Sequence, residues 1–99
     1  MEWNRDGFAE AKDTLFRLTA ADGQTVDVTL VDVSEMKETA RQRSFSIIFS
    51  VPDPCRIGQG LYDIQHDVLG AMQLFLVPIG FEGANQEIEA VFNILRTDR

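Results

Sequence analysis

The chain has 99 residues, enough for one compact hydrophobic core and too few for two domains of ordinary size. Apolar residues make up 44% and charged residues 25%, the proportions of a chain that folds rather than one that stays disordered. Against 9 Lys and Arg stand 16 Asp and Glu, so the formal charge is -7, the wrong sign for neutralising nucleic-acid phosphates or anionic lipid.

Met1 to Phe8 alternates polar and aromatic residues and lacks the run of about 7 to 15 apolar residues that an export signal needs. With Leu74 to Gly80, the longest nearly apolar stretch, too short to span a bilayer, the expectation is a cytoplasmic chain that is not embedded in a membrane. Cys55 is the one cysteine, so neither an internal disulfide nor a CxxC metal knuckle can form. No cofactor or metal is expected.

Residues 4–12 suit a short helix: Asn4 is an N-cap residue type, Asp6 and Glu10 place acid near the start, and Trp3, Phe8 and Ala11 offer packing groups. From Thr14 the period changes to two. A strand over 14–20 leads through Asp22-Gly23, a dipeptide that tolerates positive φ in a tight hairpin, into a second strand over 24–33. That strand changes parity, with Val26, Val28 and Leu30 on one face and Val31 and Val33 on the other. One extra residue re-aims every later side chain, so a bulge is expected near Leu30 or Val31. Ser34 to Arg43 is polar and charged and reads as an exposed loop.

The third strand, 44–51, alternates most cleanly, with Phe45, Ile47, Phe49 and Val51 on its core face. Pro52, Pro54 and Gly58 then break the pattern. A fourth strand over 60–66 passes through His66-Asp67-Val68-Leu69-Gly70, read as a hairpin connection, into a fifth over 71–79. The fifth is apolar on both faces, which implies cover by a second sheet on one side and by the N-terminal helix on the other. Pro78 marks an edge or the end of a ladder. The last strand, 87–95, turns Ile88, Ala90, Phe92 and Ile94 inward. Six short strands without a crossover helix predict a mainly β domain, a small antiparallel barrel or rolled sandwich with a short N-terminal helix.

His66 is the only histidine, with Asp63 and Asp67 close in sequence, so a small hydrolase would have to use it with Asp63 or Cys55. The plainer reading is a ring satisfied by backbone next to a turn, and no residue is assigned as catalytic. Tyr62 and His66 share one strand face and, with Met72, are the candidate lining of a small-molecule pocket. Lys37, Arg41 and Arg43 form the one basic cluster, broken by Glu35 and Glu38. Together with Trp3 they are the candidate partner-binding residues, because polar loops on rigid sheets often carry binding function and Trp is enriched at interface hot spots.

The stretches FSIIF at Phe45 to Phe49, LFLVPIG at Leu74 to Gly80 and EAVFN at Glu89 to Asn93, with Gly60-Leu61-Tyr62, His66 and Leu69-Gly70 between them, resemble an uncharacterised family of bacterial all-β domains of about 100 residues. The resemblance covers nearly the whole chain, although Ala11 to Thr14 departs from the Leu and Gly expected there. It implies no activity. Its loose association with phage-tail-like collar or fibre genes implies an accessory or structural part. The residues that carry it are core and turn formers, which define a fold and name no site.

The functional expectation is therefore a non-enzymatic structural or protein-interaction module that docks to a protein partner or to itself. A small-molecule-binding barrel is the alternative, followed by the hydrolase using His66.

Overall fold

The computed structural model describes residues 4–95, with the backbone alone at Leu95. The first element, α1 (Arg5–Glu10), starts where the Asn4 side chain accepts a hydrogen bond from the Gly7 N–H at 2.8 Å, satisfying one of the unpaired donors of a helix start. It buries Phe8 and ends at Ala11. The Asp13 N–H then donates to the Leu30 carbonyl at 2.7 Å, tying the helix exit to the sheet.

Seven strands follow: β1 (Leu15–Thr19), β2 (Thr25–Val33), β3 (Lys37–Glu38), β4 (Gln42–Val51), β5 (Gly60–His66), β6 (Gly70–Glu82) and β7 (Asn85–Leu95). All pairs are antiparallel. The order is β2-β1-β5-β6-β7-β4-β3, and β2 also pairs with β4, so six strands close into a barrel and β3 is an extra strand outside β4. Of the two expected architectures, the barrel is the one formed. Closure removes most free strand edges.

The β1–β2 hairpin turns at Gly23 with φ of +89°, and the Asp22 carboxylate accepts from the Gln24 N–H at 3.0 Å. The parity change in β2 is a bulge: the register passes from Leu30↔Phe49 to Asp32↔Ile48, two residues on β2 against one on β4. In β4 the expected face is the core face, with Phe45, Ile47, Phe49 and Val51 all buried. The interior is filled by Phe16, Leu18, Val28, Leu30, Ile47, Phe49, Ile64, Leu76 and Ile88. Helix α1 packs against β2 and lays Phe8 among Phe16, Phe45 and Phe92, with ring centroids 6.4, 6.2 and 5.3 Å away.

The structure corrects the sequence reading in three places. Ser34 to Arg43 is a hairpin arm rather than a plain loop: Lys37 pairs with Ser44 and Glu38 with Arg43, and the Thr39 N–H donates to the Gln42 carbonyl at 2.8 Å. Two exposed charged residues cannot display an alternation, so β3 leaves no periodic signal. Secondly, β6 is not covered twice. Leu74 and Leu76 face the core, whereas Phe75 on the opposite face is 50% exposed, because α1 lies against β2 instead. Thirdly, Ile94 was expected inward and is exposed, out beyond the Phe45–Phe92 stack that ends the core there.

Candidate functional site

His66 stands at the end of β5, where it holds a junction together. Its Nδ1 accepts hydrogen bonds from the Val68 and Leu69 N–H groups, both at 3.1 Å. Its Nε2 lies 2.9 Å from Thr14 Oγ1, and the Thr14 hydroxyl donates to the Ala11 carbonyl. With that hydroxyl hydrogen already placed, the neutral ring carries its hydrogen on Nε2 and donates it to Thr14. The ring also packs 4.4 Å from Phe16, between centroids. One side chain thereby joins the helix exit, the core and the β5–β6 turn, the backbone-satisfied role that its position beside a turn suggested. Gly70, with φ of +91°, closes that turn.

The other residues considered with His66 lie elsewhere. Asp63 is on the exposed face of β5, opposite Gln73 and Thr19. Cys55 is exposed and lines a depression of about 360 Å³ together with Tyr62, Arg56 and Asp22. His66 lines a different open depression, of about 410 Å³, with Arg17, Asp27 and Gln65. Tyr62 and His66 occupy opposite ends of β5, and the Tyr62 hydroxyl donates to the Gly58 carbonyl at 2.6 Å. Met72 is half-buried against the core and lines neither depression. The trio expected to share one pocket is therefore divided between two shallow hollows and the core.

The basic cluster rides on the β3–β4 arm. Arg43 lies 3.9 Å from Glu38, and Arg41 sits in the connecting turn, where its N–H donates to Thr39 Oγ1 at 3.3 Å. Lys37 is exposed and borders a small depression with Ser46, Glu89 and Val91. Trp3 lies outside the described residues.

The irregular stretch between β4 and β5 is held by a residue the sequence reading did not single out. Buried Gln86 donates from Nε2 to the Ile57 carbonyl at 3.1 Å and accepts at Oε1 from the Ile57 N–H at 2.7 Å. Its amide thus substitutes for a strand partner at Ile57. Asn85 Oδ1 accepts from the Asp53 N–H at 3.2 Å, and the Arg56 guanidinium sits 4.8 Å from the centre of the Phe81 ring. A signal for Gln86 was present: it shares the parity of Ile88 and Ala90, so extending the core face of β7 by one step points its amide inward.

Outside the barrel, β5, β6 and β7 carry an exposed apolar strip. Leu61 on β5 is 61% exposed and pairs directly with Phe75 on β6. Val77, half-buried on the same face, pairs with Glu89 of β7, and Val91, 59% exposed, stands two residues beyond Glu89 opposite Ser46 of β4. Among the described residues the β6–β7 ladder starts at Val77↔Glu89, so Phe75 and Val91 flank the point where the two strands part. Asp63, Glu87 and Glu89 occupy outward positions around the strip, and none is ion-paired with a described residue. On the outer face of β1 and β2, by contrast, Arg17 and Asp27 pair at 3.4 Å across directly opposed positions.

The sheet's remaining edges are blunted. Beyond Gly60↔Leu76, β6 has no β5 partner, and this open edge contains Pro78 and a register break between Pro78 and Gly80. On the other flank, β3 is two charged residues long.

No helix among the described residues is long and apolar enough to cross a membrane. No curated protein and no solved structure matches this chain. Residues 3–92 match the domain of unknown function DUF6916, and the chain, with its closed antiparallel barrel, belongs to that family.

Proposed function

We propose that this domain is a non-enzymatic structural or protein-interaction module that docks to a larger partner through the outer face of β5, β6 and β7. The exposed strip of Leu61, Phe75 and Val91 carries this reading. Single exposed apolar residues are ordinary, but a cross-strand Leu61–Phe75 pair continued on the next strand has the character of a contact surface. The packed interior favours a surface role over a ligand-holding lumen, since Phe16, Leu18, Phe49, Ile64 and Leu76 fill the space that a bound molecule would need. A place as an accessory of a phage-tail-like or other larger assembly is consistent with docking of this kind and rests on the family resemblance alone.

The test is retention of partners from the native host by the tagged chain and by its Phe75→Ser variant. The reading expects a partner held by the unaltered chain and lost from the variant. The same proteins retained by both, or a strictly monomeric chain that retains none, would contradict it.

A further inference from the structure

We infer that the element docking on this face is a short protein segment whose apolar side chains are flanked by Lys or Arg. This rests on the interaction reading above and adds the chemistry of the partner. The strip supplies apolar contact, and the acids around it supply the sign. Asp63, Glu87 and Glu89 project from the same face as Leu61 and Phe75 with no ion-pair partner among the described residues, Lys37 bordering a depression with Glu89 without pairing to it, and Glu87 and Glu89 are neighbours along one strand face. The arginines that form ion pairs are engaged elsewhere: Arg5 with Asp6 and Glu35, Arg17 with Asp27, Arg43 with Glu38, and Arg56 with Asp53. Charge of one sign left unneutralised around an apolar contact attracts the opposite sign in a partner and repels its own.

The same acidic rim disfavours a second copy of the chain as the occupant. Two such faces brought together by a two-fold axis would set acid against acid, in a chain whose formal charge is already -7. Three exposed apolar side chains also offer only a few hundred Å², short of the roughly 800 Å² that each partner buries in a stable interface of standard size. A segment fits that area better than a subunit. Pro78 and the register break beside it remove regular ladder positions from the open β6 edge, so the outer face, rather than strand addition at that edge, is the docking route.

The test uses three synthetic peptides of equal length and the full chain labelled with ¹⁵N. One peptide alternates Leu with Lys, one alternates Leu with Glu, and one keeps the Lys residues with Ser in place of Leu. The Leu/Lys peptide is expected to shift the amide signals of Leu61, Phe75, Val77, Glu89 and Val91. It should bind about tenfold more tightly than the Leu/Glu peptide at about 50 mM salt, with the gap narrowing at about 500 mM. The double variant Glu87→Gln, Glu89→Gln should reduce that preference several-fold while leaving the spectrum of the fold in place, and Phe75→Ser should remove binding.

Equal binding of the Leu/Glu peptide on the same face would overturn the assigned charge and leave the interaction module standing. Equal binding of the Lys/Ser peptide would reduce the effect to bulk electrostatics and overturn the inference. Signal shifts confined to other faces, self-association through Phe75, or no binding by any peptide to the folded chain would each overturn it as well. The interaction reading itself falls only if retention of host partners also fails to depend on Phe75.

Discussion

The outer face of β1 and β2 and the outer face of β5, β6 and β7 belong to one closed sheet, with one core behind both, yet they meet solvent differently. On the first, the exposed Leu15 stands opposite Thr29 with no apolar cross-strand partner there, and Arg17 and Asp27 face each other across the ladder and cancel. On the second, Leu61 and Phe75 occupy the corresponding kind of position, and the acids beside them form no ion pair with a described residue. A sheet that needed only to be stable and wet would resemble the first face throughout. The second keeps apolar area and unbalanced charge in water, neither of which helps the isolated barrel fold.

Substitutions test this contrast, beginning with the support the two faces share. Phe49 is fully buried and meets Phe16 edge-on, with centroids 5.1 Å apart. Phe49→Ala should destabilise the whole barrel by about 3 to 5 kcal/mol in denaturant unfolding, and a loss below about 1 kcal/mol would show that the core is placed wrongly. Gln86→Ala should cost about 1 to 3 kcal/mol, because the Ile57 N–H and carbonyl are left without their partner. Faster hydrogen exchange at the Ile57 amide would report that loss locally, and unchanged exchange there would count against the Gln86 staple.

On the outer faces the stability effects shrink. Arg17→Gln removes an ion pair whose members are both more than half exposed, so the change in unfolding free energy should be about 0.5 kcal/mol or less. Phe75→Ser should change stability least, within about 0.5 kcal/mol, because the ring stands half in water. If Phe75→Ser instead cost as much as Phe49→Ala, the ring would be a structural member and the contrast between the faces would collapse.

Much of the barrel was legible because burial imposes period two on a strand. Phe45 to Val51 shows that alternation directly, and the shift from Leu30 to Val31 shows where it slips, which is where the bulge lies. Asp22-Gly23 and the stretch from His66 to Gly70 announced their turns through residue types that tolerate positive φ or bond to nearby backbone. The proposed docking face was hidden by the same rule. Phe75 and Val77 made β6 look covered on both sides, since an apolar residue that faces water reads like one already packed. Alternation locates faces without saying which of them water reaches. The residue types that stand out in the sequence are instead the basic cluster and His66. The first lies on a short hairpin arm, and the second is taken up by Thr14 and the turn amides.

Photo-crosslinking in the native host separates a docking surface on the outer face of β5, β6 and β7 from one on β1 and β2. A photoreactive residue is placed at Phe75 in one version of the chain and at Asp27 in another. A discrete crosslinked partner is expected from position 75 and none from position 27. Equal products from both positions, or a product from position 27 alone, would contradict this expectation.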